Sequence, residues 1–274
     1  MSAQIIDGKN LAAEIRGEIK EEIAELGITP GLAVILVGAD PASHLYVGLK
    51  EKAAAEVGIT FEKFLFFATE PEEKIIGKIR ELNSRPDIHG IIVQLPLPQS
   101  YDENKIVAAI DPKKDADGFH PENIAKLLAG APEIIPPVIS GILKLIGSTG
   151  TKLKNKKISI LANSEILAKP LEKILSGNDI QTIITPETIT TEISDADIVI
   201  TALGRPKFIT AEAIKPGTIL IDVGTTRLED GATVGDVDFD SAAPKAGAIT
   251  PVPGGVGPMT VAELLQNVLN LAKK

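Results

Sequence analysis

The chain has 274 residues, with 28 basic and 37 acidic side chains and a formal net charge of −9. A nucleic-acid partner is disfavoured because the chain is acidic and has no basic tract. Cysteine is absent and the three histidines are scattered, which argues against a disulfide framework and against a metal site. No apolar run approaches the about 20 residues that span a bilayer, and the N-terminus lacks a basic region followed by a long apolar one. We therefore expect a cytoplasmic protein without a membrane partner.

The length predicts two domains, because single hydrophobic cores stop growing near about 250–300 residues. Residues 10–26 have the apolar spacing of a helix and are followed by Gly27, a residue typical of helix ends. The continuous apolar run at 32–37 is typical of a buried parallel strand, and a helix through Tyr46 and Lys50 follows it. Further strands are predicted at 59–67 and 89–95, and further helices at 72–82, at 123–128 and from Pro136-Pro137 to Ile146.

A second series of strands and helices begins at Lys157 and is typical of a Rossmann-type unit. Its predicted strands are 158–161, 180–184, 197–202 and 217–223, its helix is 166–175, and a Pro/Gly-rich loop at 248–258 precedes a final helix at 259–272. Strands that alternate with helices imply right-handed crossovers onto a parallel sheet, whose ligands lie beyond the carboxyl ends of the strands. The predicted class is therefore α/β, and Gln94 is close to such a strand end.

Tyr46 and Lys50 are the first candidate functional pair. They are four residues apart, so on a helix both side chains project from one face, where a phenol can hydrogen-bond and orient an amine. Such a pair can perform acid-base chemistry. The alternative is an exposed helix with charged residues on its surface, which is the common explanation for a lone Tyr-x-x-x-Lys.

Three longer motifs follow this pair in the chain. They are Val93-Gln94-Leu95-Pro96-Leu97-Pro98, Lys114-Asp115-Ala116-Asp117-Gly118-Phe119-His120-Pro121 and Pro251-Val252-Pro253-Gly254-Gly255-Val256-Gly257-Pro258-Met259-Thr260. With the pair, they resemble the methylenetetrahydrofolate dehydrogenase/methenyltetrahydrofolate cyclohydrolase family. The resemblance implies a three-layer α/β folate-binding and catalytic lobe at 1–136 plus 258–274, joined by long helices to a Rossmann-type NAD(P)-binding lobe at 137–257. It also implies a homodimer, tetrahydrofolate substrates and a place in purine biosynthesis.

The resemblance assigns roles to individual residues. It makes Lys50 the catalytic lysine, Tyr46 the residue that stacks on and positions the substrate, and Gln94 the partner of the lysine. A partly desolvated lysine should have a lowered pKa, so that its neutral amine can relay a proton to or from water. Gln94 has an alternative role as a structural amide that bonds a neighbouring loop.

The same resemblance places the folate pterin against Asp117 and borders the folate cleft with Gly254, Gly255 and Pro258. A carboxylate suits the planar donor edge of a pterin because it can accept two hydrogen bonds. Alternatively, Asp115 or Asp117 caps the following turn, a common use of Asp before Gly. His120 is interpreted as structural.

The chain departs from the family on the nucleotide side. The fingerprint Gly-Arg-Ser-x-x-Val-Gly-x-Pro is replaced by Ala162-Asn163-Ser164-Glu165-Ile166-Leu167-Ala168-Lys169-Pro170, and the serine of a second phosphate-binding segment is replaced by Pro186. The remaining nucleotide contacts are predicted to be Ser164, Gly204, Gly224 and Thr225, with weaker support for Asn163 and Glu187.

Three functional hypotheses follow. The first is a bifunctional enzyme that oxidises 5,10-methylenetetrahydrofolate with NAD or NADP and hydrolyses the methenyl product to 10-formyltetrahydrofolate. The second is a cyclohydrolase whose dehydrogenase half is lost or NAD-preferring, because the 2′-phosphate of NADP has no evident counter-charge unless Lys169 or Arg205 reaches it. The third is a folate-binding protein without turnover, which would not require Lys50.

Overall fold

The computed structural model describes residues 3–187 and 193–274, in which strands and helices alternate along the chain. The strands are β1 Gln4–Ile5, β2 Gly31–Val37, β3 Thr60–Phe66, β4 Gly90–Val93, β5 Lys157–Ala162, β6 Asp179–Ile184, β7 Ile198–Ala202, β8 Ile219–Asp222, β9 Thr226–Arg227, β10 Thr233–Val234 and β11 Ala248–Ile249. The α-helices are α1 Gly8–Leu26, α2 Pro41–Val57, α3 Glu72–Ser84, α4 Glu103–Val107, α5 Pro121–Ala129, α6 Pro137–Ser148, α7 Glu165–Ile174, α8 Phe239–Ala242 and α9 Val256–Ala272. The predicted α/β class with two units is confirmed.

One compact unit contains residues 12–137 and 261–274 and is built around a three-stranded parallel sheet. Strand β2 lies in the centre, between β3 and β4, and all seven of its residues are buried. This burial explains why Leu32–Val37 is a continuous apolar run. The helix α2 after β2 begins where Asp40 accepts hydrogen bonds from the amide and hydroxyl of Ser43, both at 2.8 Å, and it ends at Gly58, whose φ of 87° suits glycine.

The other unit contains residues 3–11, 138–187 and 193–260 and is built on a six-stranded parallel sheet in the order β1-β11-β8-β7-β5-β6. The strand order reverses beside β5, because β6 lies on one side of it and β7 on the other. In open α/β sheets such a reversal opens a crevice beyond the strand ends, where dinucleotides bind. The amide of Asn163, just after β5, donates to the carbonyl of Ala202 at the end of β7, at 3.1 Å.

The observed units differ from the predicted division in two places. Residues 3–11, assigned by the sequence to the first lobe, lie in the second unit because β1 pairs with β11, Gln4 opposite Ala248. The last helix begins at Val256 rather than at 259, so that Pro258 lies in its first turn, where the missing amide costs little. The short strands β1, β9, β10 and β11 were not predicted, since two residues show no periodicity, and β11 lies in the segment 248–258 that was predicted as a loop.

Candidate active site

Lys50 and Gln94 meet at the carboxyl edge of the three-stranded sheet. Lys50 lies on α2, and Gln94 follows β4, where its amide donates to the carbonyl of Ile35 at 2.9 Å. The Lys50 Nζ donates to the Gln94 Oε1 at 2.9 Å, and the Gln94 Nε2 donates to the Leu95 carbonyl at 2.7 Å. Both roles considered for Gln94 therefore hold together, because it is anchored to the loop backbone and also orients the amine.

Burial controls the charge of Lys50. Burial lowers the pKa of the Lys50 amine, whereas the negative charge of Asp117 acts in the opposite direction. Among residues 3–187 and 193–274, no hydrogen bond joins the Tyr46 phenol to this amine. The amine is thus oriented by Gln94 rather than by Tyr46, which lies half-buried one turn earlier on α2.

Asp115 and Asp117 have different environments although they are two residues apart. Asp115 is 1% exposed and accepts hydrogen bonds from the amides of Gly118 and His120, at 2.9 and 2.8 Å. The Asn123 Nδ2 also donates to it at 2.8 Å. The capping role therefore belongs to Asp115, which leaves the Asp117 carboxylate for another partner.

The charges of Asp117 and Lys50 each affect the pKa of the other group. Burial raises the pKa of Asp117, and the positive charge of Lys50 opposes that rise. His120 has the structural role that the sequence predicted, since its Nδ1 accepts a hydrogen bond from the Glu122 amide at 3.1 Å, at the start of α5. The cluster of Lys50, Gln94 and Asp117 combines a proton-transferring amine with a carboxylate acceptor.

Gly254, Gly255 and Pro258 lie in the unit with the six-stranded sheet, the two glycines in the loop between β11 and α9 and Pro258 in the first turn of α9. Gly254 has a φ of 113°, which few side chains tolerate, and a Cβ on Gly255 would lie 2.7 Å from the Pro251 carbonyl oxygen. Glycine is required at these two positions by the backbone itself.

The start of α7 lies at the sheet reversal, shortly after the end of β5. Ser164 is the residue before the helix, and its side chain makes no capping hydrogen bond, which leaves the hydroxyl for a ligand beside the positive end of the helix dipole. Ala162 and Ala168, which replace the two fingerprint glycines, are 0% and 1% exposed. Their methyl groups are therefore buried within the unit.

Within the described part of the chain, Lys169 and Arg205, the two cations considered for the 2′-phosphate, are both engaged by other groups. Asn163 is exposed and uncharged, and the Lys169 Nζ pairs with Glu165 at 2.5 Å. The Arg205 guanidinium donates to the carbonyls of Pro186 and Glu187. It also stacks on the Phe208 ring, 3.7 Å from the centroid.

Two buried aspartates, which sequence reasoning did not single out, hold the loops that carry Gly204, Gly224 and Thr225. Asp236 accepts hydrogen bonds from the Thr201 hydroxyl at 2.9 Å, the Leu203 amide at 2.6 Å and the Arg205 amide at 2.7 Å. Asp222 accepts from the amides of Gly224, Asp236 and Val237, at 3.0, 3.0 and 2.8 Å.

Each aspartate also fills the space next to a glycine. Asp236 lies where Gly224 would carry a Cβ, and Asp222 lies where Gly235 would carry one. A Cβ on Gly224 would lie 2.3 Å from the Asp236 carboxyl carbon, and one on Gly235 would lie 2.0 Å from an Asp222 oxygen. Burial raises the pKa of Asp222 to about 7, with a further rise from the charge of Asp236. In both places an aspartate lies within two residues of a glycine, in Asp222-Val223-Gly224 and in Gly235-Asp236, and this pattern was the sequence signal for the network.

Within the described part of the chain, no group of three or more His, Cys, Asp or Glu side chains has the arrangement of a metal site. No helix there is both long and apolar enough to cross a membrane.

Two family models match the chain. Tetrahydrofolate dehydrogenase/cyclohydrolase, catalytic domain, matches residues 6–117, and the NAD(P)-binding domain of the same family matches residues 136–274. This chain belongs to the tetrahydrofolate dehydrogenase/cyclohydrolase family. The catalytic-domain match of this family member contains Lys50, Gln94 and Asp117, whereas the NAD(P)-binding match contains Ser164 and Arg205.

Members of the family resemble the chain over its whole length. The bifunctional protein FolD of Geotalea uraniireducens is 46% identical, with 99% of both chains covered. The crystal structure of the FolD methylenetetrahydrofolate dehydrogenase/cyclohydrolase from Campylobacter jejuni is 38% identical, with a TM-score of 0.94 and 99% of both chains covered. The Trypanosoma brucei FolD complexed with NADP and an inhibitor is 35% identical, with a TM-score of 0.95, and covers 100% of this chain and 98% of its own.

Proposed function

We propose that this family member oxidises 5,10-methylenetetrahydrofolate and hydrolyses the methenyl product to 10-formyltetrahydrofolate. The hydrogen bond of 2.9 Å between the Lys50 amine and Gln94, beside the Asp117 carboxylate, is the observation that carries the proposal. A binding protein without turnover would not require a half-buried amine oriented by a glutamine. The Asp117 carboxylate is proposed to accept hydrogen bonds from the pterin, with Tyr46 stacked on the substrate.

The hydrolytic step needs a group that moves one proton. Water attacks the cationic methenyl carbon, and the neutral Lys50 amine takes a proton from that water as the new C–O bond forms. The protonated Lys50 amine then returns this proton to N5 as the bond from the carbon to N5 breaks. The hydroxyl on the carbon loses its proton to solvent as the carbonyl of the formyl group forms on N10, so that one proton is released overall. Gln94 orients the amine, and the lowering of the Lys50 pKa by burial increases the neutral fraction of the amine at a given pH.

The dehydrogenase step needs a nicotinamide nucleotide, which accepts a hydride from the methylene carbon. We propose that the start of α7, with Ser164, holds the pyrophosphate, and that Gly204, Gly224 and Thr225 contact the rest of the nucleotide. Asn163 and Glu187 lie next to the expected ribose position. This assignment is supported by the sheet reversal beside β5 and by the uncapped Ser164 hydroxyl.

We propose further that NAD is preferred over NADP. Asn163 and Pro186 stand where the family has a phosphate-binding arginine and serine, Lys169 is paired with Glu165, and the Arg205 guanidinium is engaged by two backbone carbonyls. The Glu187 side chain is exposed at the end of β6, where an acidic residue can bond a ribose 2′-hydroxyl and repel a 2′-phosphate.

Steady-state rates with 5,10-methylenetetrahydrofolate and each nucleotide test the preference. One lost charge-assisted contact, about 1.5–3 kcal/mol, corresponds to roughly tenfold to a hundredfold in affinity, so the NAD rate should exceed the NADP rate at low nucleotide concentration. A tenfold preference for NADP, abolished by Arg205→Gln but not by Lys169→Gln, would instead identify Arg205 as the counter-charge.

A cyclohydrolase without dehydrogenase activity is the second candidate, favoured by the altered fingerprint at Ala162–Pro170. Separate assays of the methenyl compound without nucleotide, and of the methylene compound with NAD or NADP, distinguish the two candidates. Hydrolysis without any oxidation of the methylene compound by either nucleotide would support the second one. From the family resemblance we also propose a cytoplasmic homodimer that supplies purine biosynthesis, and light scattering would measure its oligomeric state.

Replacing Asp117 with Ala should weaken the binding of reduced folates and leave nucleotide binding unchanged. A hydrogen bond to a charged group contributes about 1.5–3 kcal/mol, or roughly tenfold to a hundredfold in affinity. Calorimetric titration with tetrahydrofolate measures the effect. Asp111→Ala, on the same polar segment, is the matched control, and unchanged folate affinity in Asp117→Ala would remove Asp117 from the site.

A further inference from the structure

The turn that carries Asp117 is held by the last helix of the chain. The Asn267 Nδ2 on α9 donates to the carbonyl of Ala116 and to that of Ile135, both at 3.0 Å. Ala116 immediately precedes Asp117, and Ile135 lies in the segment before α6. One amide group thus uses both of its hydrogens to fix two stretches of backbone that are distant in sequence.

The neighbouring residue on α9 packs against the same turn. A Cβ on Gly90, at the start of β4, would lie 2.9 Å from a Val268 methyl group and 3.1 Å from the Ala116 Cβ. Glycine at position 90 therefore lets α9 approach β4 and the turn closely. The contact is a tight packing of helix, strand and turn within one compact unit.

The remaining sides of the turn are fixed by other groups. The Ala116 amide donates to the Ile91 carbonyl at 3.3 Å, which ties the turn to β4, and Asp115 binds the amides of Gly118 and His120. Gly118 has a φ of 71°, and a Cβ there would lie 3.1 Å from the Pro136 nitrogen. The backbone on both sides of Asp117 is thus held by hydrogen bonds to β4, to the Asp115 side chain and to Asn267 on α9.

We infer that Asn267 is a positioning residue for folate, which acts by holding the Ala116 carbonyl and so placing the Asp117 carboxylate. This inference depends on the proposed function, because it takes Asp117 to bind the pterin. Asn267 is half-buried on α9, and both hydrogens of its amide group are used by these two carbonyls.

The test compares Asn267→Leu, which keeps the approximate shape and removes both donors, with Asn267→Ala, which removes the side chain. Both should weaken tetrahydrofolate binding, measured by calorimetry, by about threefold to tenfold, which is less than the tenfold to hundredfold expected for Asp117→Ala. The KM for methenyltetrahydrofolate should rise by a similar factor with kcat nearly unchanged. Gln266→Ala is the matched control, because that amide donates to Asn270 one turn along the same helix.

A double-mutant cycle separates positioning from general stability. In an Asp117→Ala background the Asn267 substitutions should change folate affinity less than twofold, since the carboxylate they position is gone. Full additivity, or unchanged folate affinity in both Asn267 variants, would overturn the inference. If one variant does not fold, the other is used. If Asp117→Ala alone leaves folate affinity unchanged, the proposed role of Asp117 is wrong, and the inference about Asn267 falls with it. If Asp117→Ala weakens folate binding and the Asn267 variants do not, only the inference about Asn267 is wrong.

Discussion

Replacing Lys50 with Met should reduce the hydrolysis of methenyltetrahydrofolate by about a hundredfold to ten-thousandfold, the usual contribution of a general acid-base group. Met keeps the apolar stem of the side chain but cannot carry a proton. Tetrahydrofolate should still bind, because Asp117 and Tyr46 are unchanged. Steady-state hydrolysis and calorimetry measure the two effects.

Lys52→Met is the matched control for this substitution, because Lys52 is exposed on the same helix, and we expect its rate to equal that of the wild type. A Lys50→Met rate within about tenfold of wild type would be too high for the loss of a general base and would contradict the assignment.

The pH profile provides a second measurement of the same group. The neutral amine is the active base, so hydrolysis should rise with pH as Lys50 loses its proton. Because burial lowers the pKa of Lys50 from its ordinary value of 10.5, this rise should occur at a lower pH than for an exposed lysine. The rise should be absent from Lys50→Met after subtraction of the uncatalysed rate. Asp117→Asn should move it to still lower pH, since the opposing negative charge is removed.

Asp236→Ala should lower the free energy of unfolding by about 3 kcal/mol or more. The substitution leaves the Thr201 hydroxyl and the amides of Leu203 and Arg205 without their acceptor, and each unsatisfied buried donor costs about 1–3 kcal/mol. It also opens a cavity beside Gly224. Urea unfolding followed by circular dichroism measures the change.

Asp240→Ala is the control for this experiment, since Asp240 is exposed on α8. Its effect should stay within about 0.5 kcal/mol, as for most surface substitutions. A loss of less than about 1 kcal/mol in Asp236→Ala would mean that water satisfies the three donors and that the network contributes little to stability.

The sequence by itself predicted most elements of the unit with the three-stranded sheet and the residues proposed for its chemistry. The apolar run at 32–37 predicted β2 because a strand buried on both faces has no polar side to alternate. The spacing of Tyr46 and Lys50 placed both on one helix, and Gln94 and Asp117 were identified from their motifs. These features are local, so periodicity and short motifs report them directly.

Tertiary structure decided which groups act together. Sequence alone left open whether Asp115 or Asp117 caps the turn, and the amides of Gly118 and His120 resolve this in favour of Asp115. The pairing of β1 with β11 joins residues far apart in the chain, as does the contact of Asn267 with Ala116. Such long-range contacts depend on how the elements pack, and a two-residue strand or a single amide has no periodic signal that records its partner.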